Sequence, residues 1–213
     1  MKLSRGTKIT LLVVLLLVID QVIKILVKTN MTLGQSIHVF GDWFQIYFVE
    51  NNGMAFGMQF GATVGKLLLS VLRVALVVVI FLYIRKLLKR PATPMGVLIG
   101  LAAILCGALG NILDSLFYGL IFSGSTATQV ATMFPADGGY AGFLFGKVVD
   151  MFYFPIIDTD LPSWFPFWGG RHIVFFRPIF NFADSCITVG AFYLLIFHWR
   201  FFGKKSESEA SAK

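Results

Sequence analysis

Charge is scarce in this chain: only 14% of its 213 residues are Asp, Glu, Lys or Arg, against about a quarter in ordinary soluble domains. With 57% hydrophobic residues and a mean hydropathy of +0.79, that deficit excludes a soluble globular domain and points to a membrane. Histidine is rarer still. His38, His172 and His198 are scattered and no HExxH stretch occurs, so the ligand pattern of a zinc peptidase is missing. Cys106 and Cys186 lie inside apolar runs rather than in a spaced set within an exported loop, and they report nothing about redox compartment. The serines of "SGS" at 123–125 have no convincing partner base in the pattern, which leaves a serine nucleophile unsupported. Internal repeats are also lacking, and with them the repeat signature of many secondary transporters.

What the chain does have is long apolar runs. Four of them, at about 9–27, 61–84, 95–120 and 179–197, approach the roughly 20 residues that a helix needs to cross the hydrocarbon. The first follows Lys2, Arg5 and Lys8 and so resembles a secretory signal. The small-residue cleavage site does not come, and "DQVIKILVK" stands in its place, so this segment reads as a retained helix. The expected fold is an all-α integral membrane protein. It has four transmembrane helices, a small strand-containing outer cap and both termini cytoplasmic. One domain covers residues 1–203 with outer loops at about 28–60 and 121–178, and a disordered tail covers 204–213.

Orientation follows from the basic residues. Lys2, Arg5 and Lys8, then Arg85, Lys86, Lys89 and Arg90, then Arg200, Lys204 and Lys205 flank the runs on one side, the side that stays cytoplasmic. The two outer connections hold few basic residues and carry Asp42, Glu50, Asp137, Asp150, Asp158 and Asp160. The net charge of +7 is then a matter of topology and attraction to anionic lipid heads, and no nucleic-acid partner is required. In the first connection, "DWFQIYFVENNGMAFG" has an aromatic and β-branched run ending in Asn-Asn-Gly, which predicts a strand or hairpin followed by a tight turn. The strand-like "WFQIYFV" is placed to cradle an extended substrate by edge pairing. The second connection is long and rich in Gly, Pro and aromatics; Trp164, Phe165, Phe167 and Trp168 suit either interfacial anchoring or a flap over the substrate.

Ionisable residues within or beside the spans are functional candidates, because each must pair or face water. They are Asp20, Lys24, Lys66, Arg73, Asp114 and Asp184, with Asp150 in the outer loop. Asp20 and Lys24 share a helical face four residues apart, so a local ion pair is the plain reading. Lys66 is near a span end and can snorkel. Asp114 follows Gly107, Ala108 and Gly110, which permit close helix approach, and reads as a partner for neighbouring polar groups. The chemistry open to outward-facing aspartates is that of two carboxylates sharing a proton, one polarising a carbonyl while the other activates water. A proton-coupled transporter is the alternative from another class, and it favours acids near mid-bilayer. A third is a noncatalytic scaffold, in which the aspartates are dispensable.

The motifs "DQVIK", "ENNGMAFG", "GALGNILD", "VVD" and "FNFADSCI", in that order, closely resemble the lipoprotein signal peptidase (signal peptidase II) family over nearly the whole chain. The resemblance implies an aspartyl endopeptidase of the bacterial inner membrane with its active site toward the outer face. It would remove signal peptides from diacylglyceryl-modified prolipoproteins, cutting before the lipidated cysteine, with membrane lipid as surroundings and no metal or organic cofactor. Asp150 and Asp184 fall on the family's catalytic dyad. Asn51 and Asn181 fall on residues that position substrate or orient the dyad, Arg73 on a helix-two arginine, and Asn111 and Asp114 on a supporting pair, with Asp20 and Lys24 matching a polar pair in helix one.

Three departures accompany the match. Ser115 stands where the family commonly has arginine, residues 122–147 are inserted ahead of "VVD", and the segment from Met151 to Arg177 is long. An enlarged outer cap accounts for the last two. Cysteine-accessibility labelling is expected to find positions beside Arg85, Lys86 and Lys89 reactive from the cytoplasmic side and positions beside Gly138 from the outer side; the reverse pattern would overturn this topology.

Overall fold

The computed structural model describes residues 3–52 and 65–203. The turn expected at Gly53 and the tail at 204–213 lie outside the described residues. In chain order the elements are α1 (Arg5–Asn30), β1 (Ser36–Phe40), β2 (Phe44–Asn51), α2 (Lys66–Leu88), α3 (Met95–Leu113), a π-helical turn (Asp114–Tyr118), the short α4 (Gly119–Ile121), β3 (Val148–Tyr153), β4 (Ile157–Asp160), β5 (His172–Phe175), β6 (Ile179–Phe180) and α5 (Phe182–Phe197). They form two compact units, one from the described residues of 1–21, 58–113 and 182–213, the other from 22–57 and 114–181.

The first unit is helical. From Thr7 to Asn30 α1 contains no Gly or Pro, so nothing interrupts its backbone ladder. Pro91 and Pro94 stop α2 and start α3. The freed carbonyls between them are not left bare: Thr93 Oγ1 donates to Leu87 O at 3.0 Å, and Arg5 donates to the carbonyls of Pro91, at 3.0 Å, and Thr93. Ile9, Ile84, Leu87, Val97, Leu98, Leu105 and Leu194 make the inner core. The opposite faces are just as apolar: Leu15, Leu68, Leu72, Val79, Val189 and Leu195 are exposed, which suits lipid and not water. Among the described residues two helical runs, Arg5–Asn30 and Met95–Ile121, are long and apolar enough to cross a membrane, and α5 is a shorter apolar helix.

Lipid is no less apolar than leucine, so these helices gain from close contact rather than from exclusion of water. Glycine supplies that contact between α3 and α5. A Cβ on Gly107 would fall on the carbonyl of Ala183, one on Gly100 would lie 2.6 Å from Leu194 Cδ2, and one on Gly190 would lie 2.8 Å from the Gly100 carbonyl oxygen.

The second unit contains a four-stranded antiparallel sheet in the order β1-β2-β3-β6 and a separate β4-β5 hairpin. The expected strand after Asp42 is β2, in register with β3 so that Val49 faces Asp150 and Asn51 faces Val148. Edge pairing of substrate on "WFQIYFV" is corrected: β1 and β3 already occupy the two sides of β2, so its backbone groups are taken and the sheet's outer strands are β1 and β6. Val148 to Met151 are buried on both faces of β3, and Phe48, Val149, Met151, Phe122 and Tyr118 form the core beneath. The aromatic run at 164–168 joins β4 to β5 and is exposed, Phe167 at 96%. Gly107→Leu is expected to push α3 from α5 and to lower the unfolding temperature of the detergent-solubilised protein, a loss of about 1–3 kcal/mol or more. Gly6→Ala, with no atom nearer than 3.9 Å to the added Cβ, should be neutral or stabilising in the same measurement.

Candidate active site

Asp150 sits in the middle of β3 with 3% of its surface exposed. Each carboxylate oxygen accepts an amide hydrogen bond: Asn181 Nδ2 donates to Oδ1 at 2.6 Å and Asn51 Nδ2 to Oδ2 at 3.3 Å. Asn51 reaches it because β2 and β3 are paired, and Asn181 because it follows β6, which is paired with β3 through Phe152 and Tyr153. Two sequence-predicted asparagines are thus gathered on the carboxyl group of a third predicted residue within the second unit.

Asp184 belongs to the first unit, half-buried in the first turn of α5, where the helix dipole favours a negative charge. Asn111, on α3, donates to its Oδ1 at 2.8 Å. The start of α5 is fixed by a second aspartate. Asp20, with no exposed surface, accepts the N–H of Ala183 at 2.9 Å, satisfying one of the backbone donors that every helix leaves open at its N-terminus. Gln21 Nε2 supports Asp20 at 3.1 Å and touches the Gly110 carbonyl at 3.3 Å.

Lys24 reaches a partner that the four-residue spacing did not anticipate: its ammonium lies 2.9 Å from Asp114 Oδ2, both side chains wholly buried. The same oxygen accepts the N–H of Val149 at 3.3 Å, so the residue next to Asp150 is held by Asp114. Arg73 is half-buried in α2.

A second polar cluster escaped the sequence reading. Lys28 Nζ lies 2.5 Å from Glu50 Oε1 and 3.0 Å from Ser125 Oγ; Ser125 donates to Glu50 Oε1 at 3.0 Å, and Lys147 Nζ lies 3.0 Å from Oε2. Tyr140 accepts the Lys147 N–H at 2.7 Å, and its ring lies under both ammonium groups, 5.0 Å from Lys28 and 5.7 Å from Lys147. Burial alone would push the Glu50 carboxyl up, but the hydrogen bonds and charges of Lys28 and Lys147 overcome it and hold the group below the ordinary carboxylate range. Burial raises Tyr140, which stays a neutral phenol. Ser125 and Lys28 are not arranged as a serine–lysine nucleophile pair: the Ser125 hydroxyl accepts from Lys28 and donates to Glu50, whereas a general-base lysine must accept the serine's proton. The cluster joins the inserted 122–147 segment to the end of α1 and to the residue before Asn51. The one signal in the sequence is that Glu50 and Lys147 adjoin "NNG" and "VVD".

Two solved bacterial membrane enzymes share the architecture, with TM-scores of 0.57 and 0.56 at 21% and 22% identity. They cover 89% of this chain in each case, and 86% and 91% of their own lengths. The fold is that of a membrane enzyme with several helices and a small sheet. Residues 12–200 match the family of signal peptidase (SPase) II, peptidase family A8, and the chain belongs to it. The lipoprotein signal peptidase of Porphyromonas gingivalis is 52% identical over 195 residues, 92% of this chain and 84% of its own. That of Amoebophilus asiaticus is 37% identical over 185 residues, 85% and 73% of the two chains.

Glu50→Gln leaves Lys28 buried against a neutral amide and is expected to lose about 3–5 kcal/mol of stability. Because the folded-state pKa of Glu50 is depressed, its contribution is complete above the ordinary carboxylate range and is lost as pH falls through the lower folded value. Unfolding curves of parent and variant should therefore converge on acidification across that interval. A gap independent of pH would show that Glu50 is not the charged partner.

Proposed function

We infer that this aspartyl peptidase of the signal peptidase II family removes signal peptides from diacylglyceryl-modified prolipoproteins, cutting before the lipid-bearing cysteine, with Asp150 and Asp184 as its catalytic pair. The observation that carries the pairing is the segment Asn181–Asp184. Its first residue is hydrogen-bonded to Asp150, and Asp184 follows three positions later, oriented by Asn111. Family membership and the relatives support the reaction.

In this reading one carboxyl group is protonated and the other ionised. The ionised group takes a proton from water as the water attacks the scissile carbonyl carbon, and the protonated group donates to the carbonyl oxygen. Proton transfer to the leaving amine then breaks the C–N bond. Asn51 and Asn181 hold Asp150 to one rotamer while Asn111 holds Asp184, so less ordering is left for the transition state. Arg73 is assigned to substrate positioning on the strength of the family match alone. No metal or organic cofactor takes part.

The same reading places α1, α2, α3 and α5 across the bacterial inner membrane, with both termini cytoplasmic and the active site toward the outer face. The basic residues of the α2–α3 link and the N-terminus support it. Residues 1–203 act as one peptidase domain with membrane lipid around it. The exposed rings of Trp164, Phe167 and Trp168 support interfacial anchoring of the β4–β5 hairpin.

The test is cleavage of a lipidated precursor and its unlipidated counterpart by the purified protein, read as a single cut before the cysteine of the lipidated form. Asp150→Asn and Asp184→Asn are each expected to abolish turnover with precursor binding retained, and the double variant should be little worse than either. Asp114→Asn should lose stability or only part of the activity. Substantial turnover by Asp150→Asn together with complete loss in Asp114→Asn would transfer the catalytic role to Asp114, and cleavage of neither precursor by the parent would sink the assigned reaction.

A further inference from the structure

Away from the catalytic motifs, α1, α2 and α3 enclose an apolar groove of about 350 Å³. Ile9, Val13, Phe81, Ile84, Leu88 and Leu105 form its walls. Gly6 leaves one end open, because a Cβ there would meet only Ser4 Oγ at 3.9 Å and Leu88 Cδ1 at 4.0 Å. Arg85 is the charged side chain on the lining, its guanidinium carbon 5.9 Å from the Phe81 ring centre. The bonds from Arg5 to the carbonyls of Pro91 and Thr93 bring the start of α1 to the α2–α3 link, and these two segments also carry Lys8, Lys86, Lys89 and Arg90. No Asp or Glu occurs before Asp20 or between Glu50 and Asp114. Positive charge on these segments therefore has no acid of their own to offset it.

A groove of this volume lies at the small end of ligand pockets, which run from about 300 to 1,000 Å³, and it is too small for a signal-peptide helix about 10–12 Å across. A flexible alkyl chain fits its shape and its lining. The arginine on that lining suits a phosphate, to which a guanidinium can donate two parallel hydrogen bonds. We propose that the groove binds an acyl chain of an anionic phospholipid, with the lipid phosphate on Arg85. A zwitterionic head group brings its own cation to the basic end and is disfavoured by it. The site is independent of the catalytic reading and is tested by binding rather than by cleavage.

The experiment is native mass spectrometry of the purified full chain in neutral detergent. Phosphatidylglycerol or phosphatidylcholine of identical acyl composition is added, and retained lipid is counted. The parent is expected to keep phosphatidylglycerol at about tenfold lower lipid concentration, since Lys and Arg near a lipid surface favour an anionic head. Arg85→Gln should shrink that preference to about twofold, as one full charge and its bidentate geometry are lost. Gly6→Leu, whose side chain enters the groove, should displace the bound lipid while the helical circular dichroism is unchanged. Equal retention of the two lipids by the parent would overturn the proposal, and that comparison requires no variant to fold. An undiminished preference in Arg85→Gln would overturn it too, because the charge would then act from the general basic surface.

Discussion

Two opposite charges with no access to water, Lys24 and Asp114 at 2.9 Å, set the terms for the strand that carries Asp150. Breaking a buried ion pair by removing one partner costs about 3–5 kcal/mol, so this bridge ties the π-helical turn to α1. Asp114 also takes the Val149 N–H, and β3 inherits that fixed position. The amides of Asn51 and Asn181 then meet a carboxylate whose backbone is already placed. Asp20 does the corresponding work in the other unit, where an acid with no exposed surface accepts the Ala183 N–H and sets where α5 begins.

Both buried acids were visible in the sequence as anomalies, since an aspartate among leucines and glycines needs a reason. The long-range partners were not visible. Spacing within one helix pointed to Asp20 and Lys24 on a shared face, and Lys24 also pairs with Asp114, ninety positions along the chain, because helix periodicity describes one element and says nothing about which neighbour packs on it. The same limit explains β2. Its aromatic and β-branched run marked a strand, but sheet order depends on β1 and β3, and those fill the sides that an added strand would need. The candidate acids were the most legible part of the site, because "VVD" and "FNFAD" are short local motifs.

In the helical unit the logic runs through size rather than charge. Gly107 was readable, with Ala108 and Gly110, as a small residue that permits close approach, whereas Gly100 and Gly190 emerge only from the structure. That α5 is the partner of α3 follows only from where Ala183 and Leu194 lie. A glycine also serves where its neighbours stay at ordinary van der Waals distance: Gly6 keeps a surface open. The same residue type thus closes one helix contact and leaves another unfilled, and only the neighbours distinguish the two.

The Glu50 cluster bears on how such an enlarged cap could be inherited or transplanted. One carboxylate is shared by a lysine from α1 and a lysine at the end of the inserted segment, with Ser125 between the first pair. The insertion is therefore not a detachable ornament. Grafted alone onto a shorter homologue without an acid at the position before "NNG", it would carry Lys147 to a place with no counter-charge. Deleted from this chain, it would strip Glu50 of one of its two cations and of a hydroxyl donor. Lys28, Glu50, Ser125 and Lys147 make up a module that can be exchanged whole but not in pieces.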